Sequence, residues 1–202
     1  MRVGVLNLEN SNAPAVYSVL TKLGYSPNLT CDYAELVSFS HLIFPGVGSF
    51  AAVVEEVSAK PMLRDAIFAF ASSGKPLLGI CLGMQLLGTS SEESPGIPGL
   101  GILDFKVVAM KNPIGSFPIP HVGWNQVEIK YPNPLFEGIP TGTDFYFSHS
   151  FQVTNSKFEI GHTSYGAPFI SAVRKDNIFG VQFHPERSQE FGHKLIENFL
   201  RV

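Results

Sequence analysis

The segment GICLG, Gly79 to Gly83, sets a cysteine between two glycines. An apolar run, KPLLGI, leads into it, and a helically spaced run, LGMQLLG, leaves it. This order of strand, Cys81 and helix has the form of a nucleophile elbow, with sulfur in place of a serine oxygen. The pattern has a steric cause. A strand that turns at once into a helix strains its central residue, and the flanking positions must be small for the two segments to pass. The turn also sets the sulfur at a helix N-terminus, where the dipole and free N–H groups favour thiolate over thiol. The N–H of Leu82 is then placed to bind an oxyanion. The competing reading is a buried structural thiol, the ordinary fate of a free cysteine. The strand–elbow–helix context favours the nucleophile at Cys81. Cys31 has no such context and reads as structural.

A cysteine nucleophile needs a base, and the base needs an orienting group. FHPE offers both, as His184 and Glu186. Residues i and i+2 of an extended segment point the same way, and Pro185 biases His184 towards extended backbone. The carboxylate can then fix the imidazole tautomer and stabilise its charged form. An isolated H-P-E would read as a surface turn. Here it follows an apolar run, IFGVQF, much as Cys81 follows its own. The other five histidines lack metal-ligand spacing and default to structural roles: His41, His121, His149, His162 and His193.

These groups need elements to hold them. RVGVLNL, HLIFPGVG and KPLLGI read as buried strands, alternating with helical patterns in PAVYSVLTKLG, MLRDAIFAFASSG and LGMQLLG. Alternation of this kind predicts a parallel sheet flanked by helices. Sites in such sheets gather at the carboxyl ends of strands, where both PGVG and Cys81 fall. From Gly96 to about Phe169 the chain turns rich in Pro, Gly and aromatics, predicting antiparallel strands and long loops. SQEFGHKLIENFLRV predicts a closing helix with Phe191, Leu195, Phe199 and Leu200 on one face. No linker or repeat interrupts residues 1–202, so one domain is expected.

Composition narrows the function classes. Net charge is −3 and no basic run interleaves with aromatics, which argues against nucleic acid. Charged residues make up only 15%, so an apolar, partner-facing patch is expected beside the core. Two cysteines cannot build a disulfide framework, and no apolar run is long enough for a membrane helix. A soluble, cytoplasmic protein follows as the expectation.

Together these residues resemble the class I, triad-type glutamine amidotransferases. Within them the chain is similar to the glutaminase subunits that serve a (β/α)8-barrel synthase of histidine biosynthesis. PGVGSF, GKPLLGICLGMQLLGTSSEE, PHVGWNQV, LFEGIPTGTDFYFSHSF and FGVQFHPERS follow the family's order. The resemblance implies an open, mostly parallel sheet with flanking helices and an added antiparallel portion. It implies Cys81 as nucleophile, His184 as base and then acid, and Glu186 as its orienting carboxylate. Val47 and Leu82 would supply the oxyanion N–H groups. Gly48, Gln85, Glu93 and the backbone at Ser150 and Phe151 would bind L-glutamine. Glu93 would pair with the α-ammonium, against the alternative of a solvated helix-end charge. The implied reaction is glutamine plus water to glutamate plus ammonia through a γ-glutamyl thioester, with no metal or organic cofactor. The implied partner is the barrel subunit, in a heterodimer that passes ammonia through an internal channel. Asn12, Pro120, Trp124 and Asn125 would face it. Trp124 could equally cap the core.

The N-terminal loop departs from the family. A D-Y-G-x-G-N-like pattern is expected after the first strand, and NLENSN stands there instead, with Glu9 and Ser11 at glycine positions, Asn12 retained, and Ala15 at an often polar place. Arg187 replaces a common lysine. The departed loop motivates two alternatives: a paralogous glutaminase on a similar barrel that aminates a surface sugar, and a degenerate, non-catalytic partner subunit. An intact Cys81, His184 and Glu186 set argues against the second.

Overall fold

A computed structural model describes residues 1–111 and 117–202. The first half runs β1 (Val3–Leu6), α1 (Ala13–Lys22), β2 (Asn28–Thr30), α2 (Tyr33–Ser38), β3 (His41–Gly46), α3 (Phe50–Ser58), α4 (Pro61–Ser72), β4 (Leu77–Cys81) and α5 (Leu82–Leu87). The second half adds β5 (Ser90–Ser91), β6 (Lys106–Ala109), β7 (His121–Ile129), β8 (Thr143–His149), β9 (Phe151–Gln152), β10 (Glu159–Tyr165), β11 (Ala167–Lys175), β12 (Ile178–Val181) and α6 (Gln189–Leu200). Short 3-10 turns stand at Pro134–Phe136 and Pro185–Arg187.

Nine strands form one sheet in the order β2-β1-β3-β4-β12-β11-β10-β7-β8. The pairings from β2 across to β12 are parallel, and those from β12 to β8 are antiparallel. Most of the antiparallel portion expected from the second half therefore extends the parallel sheet, while β5, β6 and β9 form a separate three-stranded sheet in which β6 and β9 pair antiparallel. β1, β3, β4 and β12 are buried along their whole length. That explains their unbroken apolar runs, because strands covered on both faces show no alternation.

Each face of the sheet has its own core. Val16 and Leu20 of α1 pack with Leu195, Phe199 and Leu200 of α6 on one face. Leu36, Phe50, Ile67, Phe70 and Met84, from α2 to α5, pack on the other. Each such side chain contributes roughly 1.5–3 kcal/mol on burial. The α2 and α3 helices were not anticipated from sequence. The Asp32 carboxylate caps α2 by accepting from the Glu35 N–H at 3.1 Å. Phe50, Val53 and Val57 give α3 its buried stripe. On α6 the expected face holds for Leu195, Phe199 and Leu200, but Phe191 is 38% exposed. The apolar stripe instead begins at Gly192, where any Cβ would sit 2.0 Å from the Pro185 carbonyl oxygen. That close approach seats the helix and turns Phe191 outward.

Candidate active site

Cys81 ends β4 and starts α5 with φ 54° and ψ −112°. A non-glycine residue at this φ is strained, and the close packing of β3, β4 and α5 holds it there. A Cβ on Gly83 would lie 1.8 Å from the Phe44 carbonyl oxygen, and one on Gly79 would lie 2.8 Å from that of Gly83. Only glycines let α5 press this tightly onto the strands, so the steric reason behind G-x-C-x-G is visible directly. The elbow aims the sulfur into a cavity of about 440 Å³.

His184 lines the same cavity, with Glu186 buried beside it. His184 Nδ1 stands 2.8 Å from Glu186 Oε1. His184 itself is extended as expected, with φ −103° and ψ 92°, but the chain turns into 3-10 helix from Pro185, so the extended run does not reach Glu186. The carboxylate still curls back to the imidazole, and Ser188 fixes the turn by donating to the His184 carbonyl at 2.6 Å. Burial pulls the imidazole pKa down. The Cys81 sulfur, by charge and hydrogen bond, and then Glu186 outweigh it and raise His184 to about 10. The site therefore favours an imidazolium at His184, facing the Cys81 sulfur. Such a pair can attack an amide carbon and hand a proton to the departing nitrogen.

Val47, Gly48, Leu82, Gln85, Glu93, Ser150 and Phe151 all line the cavity with Cys81 and His184. Their available atoms are narrower than the sequence suggests. The Val47 N–H donates to the Asn10 carbonyl at 3.2 Å, so it is turned away from any oxyanion in this state. The Phe151 carbonyl accepts from Gln85 Nε2 at 3.1 Å and from His149 Nδ1 at 2.9 Å, and the Ser150 carbonyl accepts from the Met110 N–H at 2.9 Å. Gln85 Nε2 also donates to Gln182 Oε1 at 2.9 Å, leaving Gln85 Oε1 as the acceptor it can present. Glu93 Oε1 accepts from the Phe50 N–H, at the start of α3, at 3.2 Å. Burial raises the Glu93 pKa and that N–H lowers it by less. A half-buried carboxylate with an elevated pKa is a natural seat for an ammonium group, which would favour its charged form.

Four residues were expected on the partner face, and the structure divides them. Asn12 and Pro120 line the cavity. Asn12 Nδ2 donates to Glu186 Oε1 at 2.7 Å, so it braces the carboxylate behind His184. Trp124 is 47% exposed on β7, between Val122 at 56% and Asn125. Trp124 thus does not cap the core; it meets the edge of Tyr146 at 6.0 Å. Sequence reasoning missed Gln182, whose Nε2 points at Cys81 Sγ from 3.6 Å. A signal existed: a glutamine inside the apolar run IFGVQF must find a buried partner. Arg187, noted from sequence only as a replacement for a common lysine, lines the cavity and stacks its guanidinium over Tyr146 at 4.2 Å. Cys31 is half-buried, with its thiol 3.1 Å from the Asn7 carbonyl and its pKa raised by burial.

The family of class-I glutamine amidotransferases matches residues 7–202. The chain belongs to that family. This amidotransferase is 45% identical over 202 residues, the full length of both chains, to imidazole glycerol phosphate synthase subunit HisH of Yersinia pseudotuberculosis. It is 43% identical, again over both full lengths, to the subunit of the same name in Escherichia coli K12. Among solved structures, a glutamine amidotransferase superposes with a TM-score of 0.76 at 21% identity, covering 98% of this chain and 97% of its own. PurLQS from Thermotoga maritima gives 0.75 at 21%, covering 99% and 97%. The amidotransferase therefore has the fold expected from its sequence. No helix among its described residues is long and apolar enough to cross a membrane.

Proposed function

We propose that the chain, as one domain over residues 1–202, is the glutaminase subunit of an imidazole glycerol phosphate synthase. The observation that carries this is the Cys81–His184–Glu186 constellation in a chain 43–45% identical, end to end, to subunits of that name. Cys81 Sγ attacks the side-chain amide carbon of L-glutamine. The oxygen takes the negative charge and is held by the Leu82 N–H. His184 gives its proton to the departing ammonia, leaving a γ-glutamyl thioester. Water then attacks the thioester, His184 takes its proton, and glutamate leaves as the thiolate returns. Glu186, braced by Asn12, keeps the imidazole oriented. Glu93 and Gln85 Oε1 receive the α-ammonium, beside Gly48 and the Ser150–Phe151 backbone.

The partner is a (β/α)8-barrel cyclase that consumes the ammonia. Exposed Val122 and Trp124, with Ile119 at 40% exposure, support β7 as its docking face. Full-length identity to the synthase subunits favours this acceptor over amination of a surface sugar. The second oxyanion donor is the Val47 N–H, which must leave the Asn10 carbonyl before it can serve. Since one such donor is worth roughly 10²–10³ in rate, the barrel should stimulate the subunit by about that factor. Glutamate release is measured for the purified chain alone, then with an imidazole-glycerol-phosphate cyclase barrel and its nucleotide substrate. Equal rates in the two conditions would contradict this partner.

A further inference from the structure

At the cavity wall, β7 and β8 set His121 directly opposite His149, and His149 itself lines the cavity. Both are buried, and the chemistry above uses neither. Their protons can nonetheless be assigned. His149 Nδ1 lies 2.9 Å from the Phe151 carbonyl oxygen, which only accepts, so Nδ1 carries a hydrogen. Burial lowers His149 to about 3 and His121 to about 4, so both rings are neutral near pH 7. A neutral His149 leaves Nε2 as a bare acceptor, and His121 Nδ1 stands 3.0 Å from it. His121 Nδ1 must therefore donate, and His121 Nε2 must accept. Its neighbour at 3.3 Å is Asn125 Nδ2. The orientation of that amide is fixed independently: Nδ2 also donates to the Ser164 carbonyl at 3.0 Å, and Oδ1 accepts from the Gln126 N–H at 2.8 Å. One proton arrangement satisfies every contact. The bonds run in one direction, from Asn125 through His121 and His149 to the Phe151 carbonyl.

That carbonyl is also where the thiol's own chain ends. Gln182 Nε2 reaches towards Cys81 Sγ, Gln182 Oε1 accepts from Gln85 Nε2, and Gln85 Nε2 donates to Phe151. The ring of His121 is held flat between Tyr165, stacked at 3.9 Å, and Phe147, stacked at 4.8 Å, so it cannot turn freely.

We propose that His121 and His149 are a polarised hydrogen-bond relay that positions the Phe151 peptide in the pocket wall and ties that position to the Asn125 side of β7. This rests on the assignment of Phe151 to the glutamine pocket and of β7 to the partner face. A barrel that re-aims the Asn125 amide removes the donor from His121 Nε2, and the loss passes inward to the wall that holds glutamine. His121 and His149 are positioning residues in this scheme; neither touches the reacting atoms.

The test has two readouts. Histidine-selective ¹⁵N NMR of the full chain reads the tautomers: both rings should be neutral with Nδ1 protonated, the minority form of imidazole in water. An Nε2–H form or an imidazolium on either residue near pH 7 would overturn the relay. The second readout is glutaminase kinetics with and without the cyclase barrel. In His149→Asn the amide nitrogen falls where Nδ1 lies, keeping the bond to Phe151 and losing the one to His121. In His149→Gln the amide oxygen falls where Nε2 lies, keeping the outer bond and losing the inner one. His149→Gln should raise KM for glutamine about tenfold, the reach of one positioned hydrogen bond. His149→Asn should raise KM less and lose the larger share of barrel stimulation, about tenfold. Two variants alike in KM and in stimulation would refute the relay. A chain with the expected tautomers that releases no glutamate even with the barrel would instead remove the functional reading and leave the relay standing.

Discussion

Replacing Glu186 by glutamine isolates the charge of the carboxylate from its shape. Glu186 Oε1 accepts from two donors, His184 Nδ1 at 2.8 Å and Asn12 Nδ2 at 2.7 Å. Oε2 is buried and has no hydrogen-bond partner among the described residues. A glutamine can therefore keep its oxygen on both donors and put its NH2 in the vacant direction, with the imidazole tautomer unchanged. What is lost is the negative charge. At the lower end this exchanges a charge-assisted bond for a neutral one, about 1.5 kcal/mol. At the upper end it removes an ion pair of about 4 kcal/mol at an effective dielectric of 20. With a decade of rate per 1.36 kcal/mol, kcat/KM should fall by about tenfold to 10³-fold. Cys81 outranks Glu186 among the groups that hold the His184 proton, so the fall should stay well short of removing the sulfur. The alkaline limb of the pH profile, where His184 loses its proton, should move to lower pH, because a partner that raised its pKa has gone. The assay is steady-state glutamate release by the barrel complex across pH. A change under about twofold, or a loss as complete as that of Cys81→Ala, would refute the account of an orienting and charge-stabilising carboxylate.

Two further perturbations test the walls of the site. Gly83→Ala drives a methyl to within 1.8 Å of the Phe44 carbonyl oxygen, so α5 must lift from β3 and carry Leu82 and Cys81 with it. A stability loss of about 1–3 kcal/mol in denaturant, with a larger loss of activity, is expected; an unshifted midpoint would contradict the packing argument. Glu93 must be ionised to hold an ammonium, and burial has raised its pKa. KM for glutamine should therefore rise as pH falls through that raised value, and Glu93→Gln should flatten the rise while lifting KM about tenfold or more at neutral pH. A pH-dependent KM that survives in Glu93→Gln would assign the titration elsewhere.

Much of this was legible in the sequence because the reasons were local. The apolar runs before Cys81 and His184 are strands buried on both faces, and the glycines around Cys81 mark a real steric contact. Asp32 and the Phe50, Val53, Val57 stripe also signalled helices that went unread. Other features depend on contacts between distant segments and leave no local trace. The Asn12 brace on Glu186 spans 174 residues, and the Val47 N–H is held by a carbonyl from the N-terminal loop. That loop, where Glu9 and Ser11 depart from the expected glycines, thus touches both the oxyanion strand and the triad. Backbone carbonyls also carry no residue code, so the commitment of Phe151 to His149 and Gln85 could only be seen in three dimensions.

The central claim is that Cys81 carries the glutamyl group. The direct measurement is rapid acid quench of the barrel complex turning over glutamine, followed by peptide mass analysis. The account predicts one γ-glutamyl group on the peptide that contains Cys81, and neither adduct nor glutamate release from Cys81→Ala, whose fold and docking should persist. Glutamate release retained in that variant, or an adduct on any other residue, would contradict it.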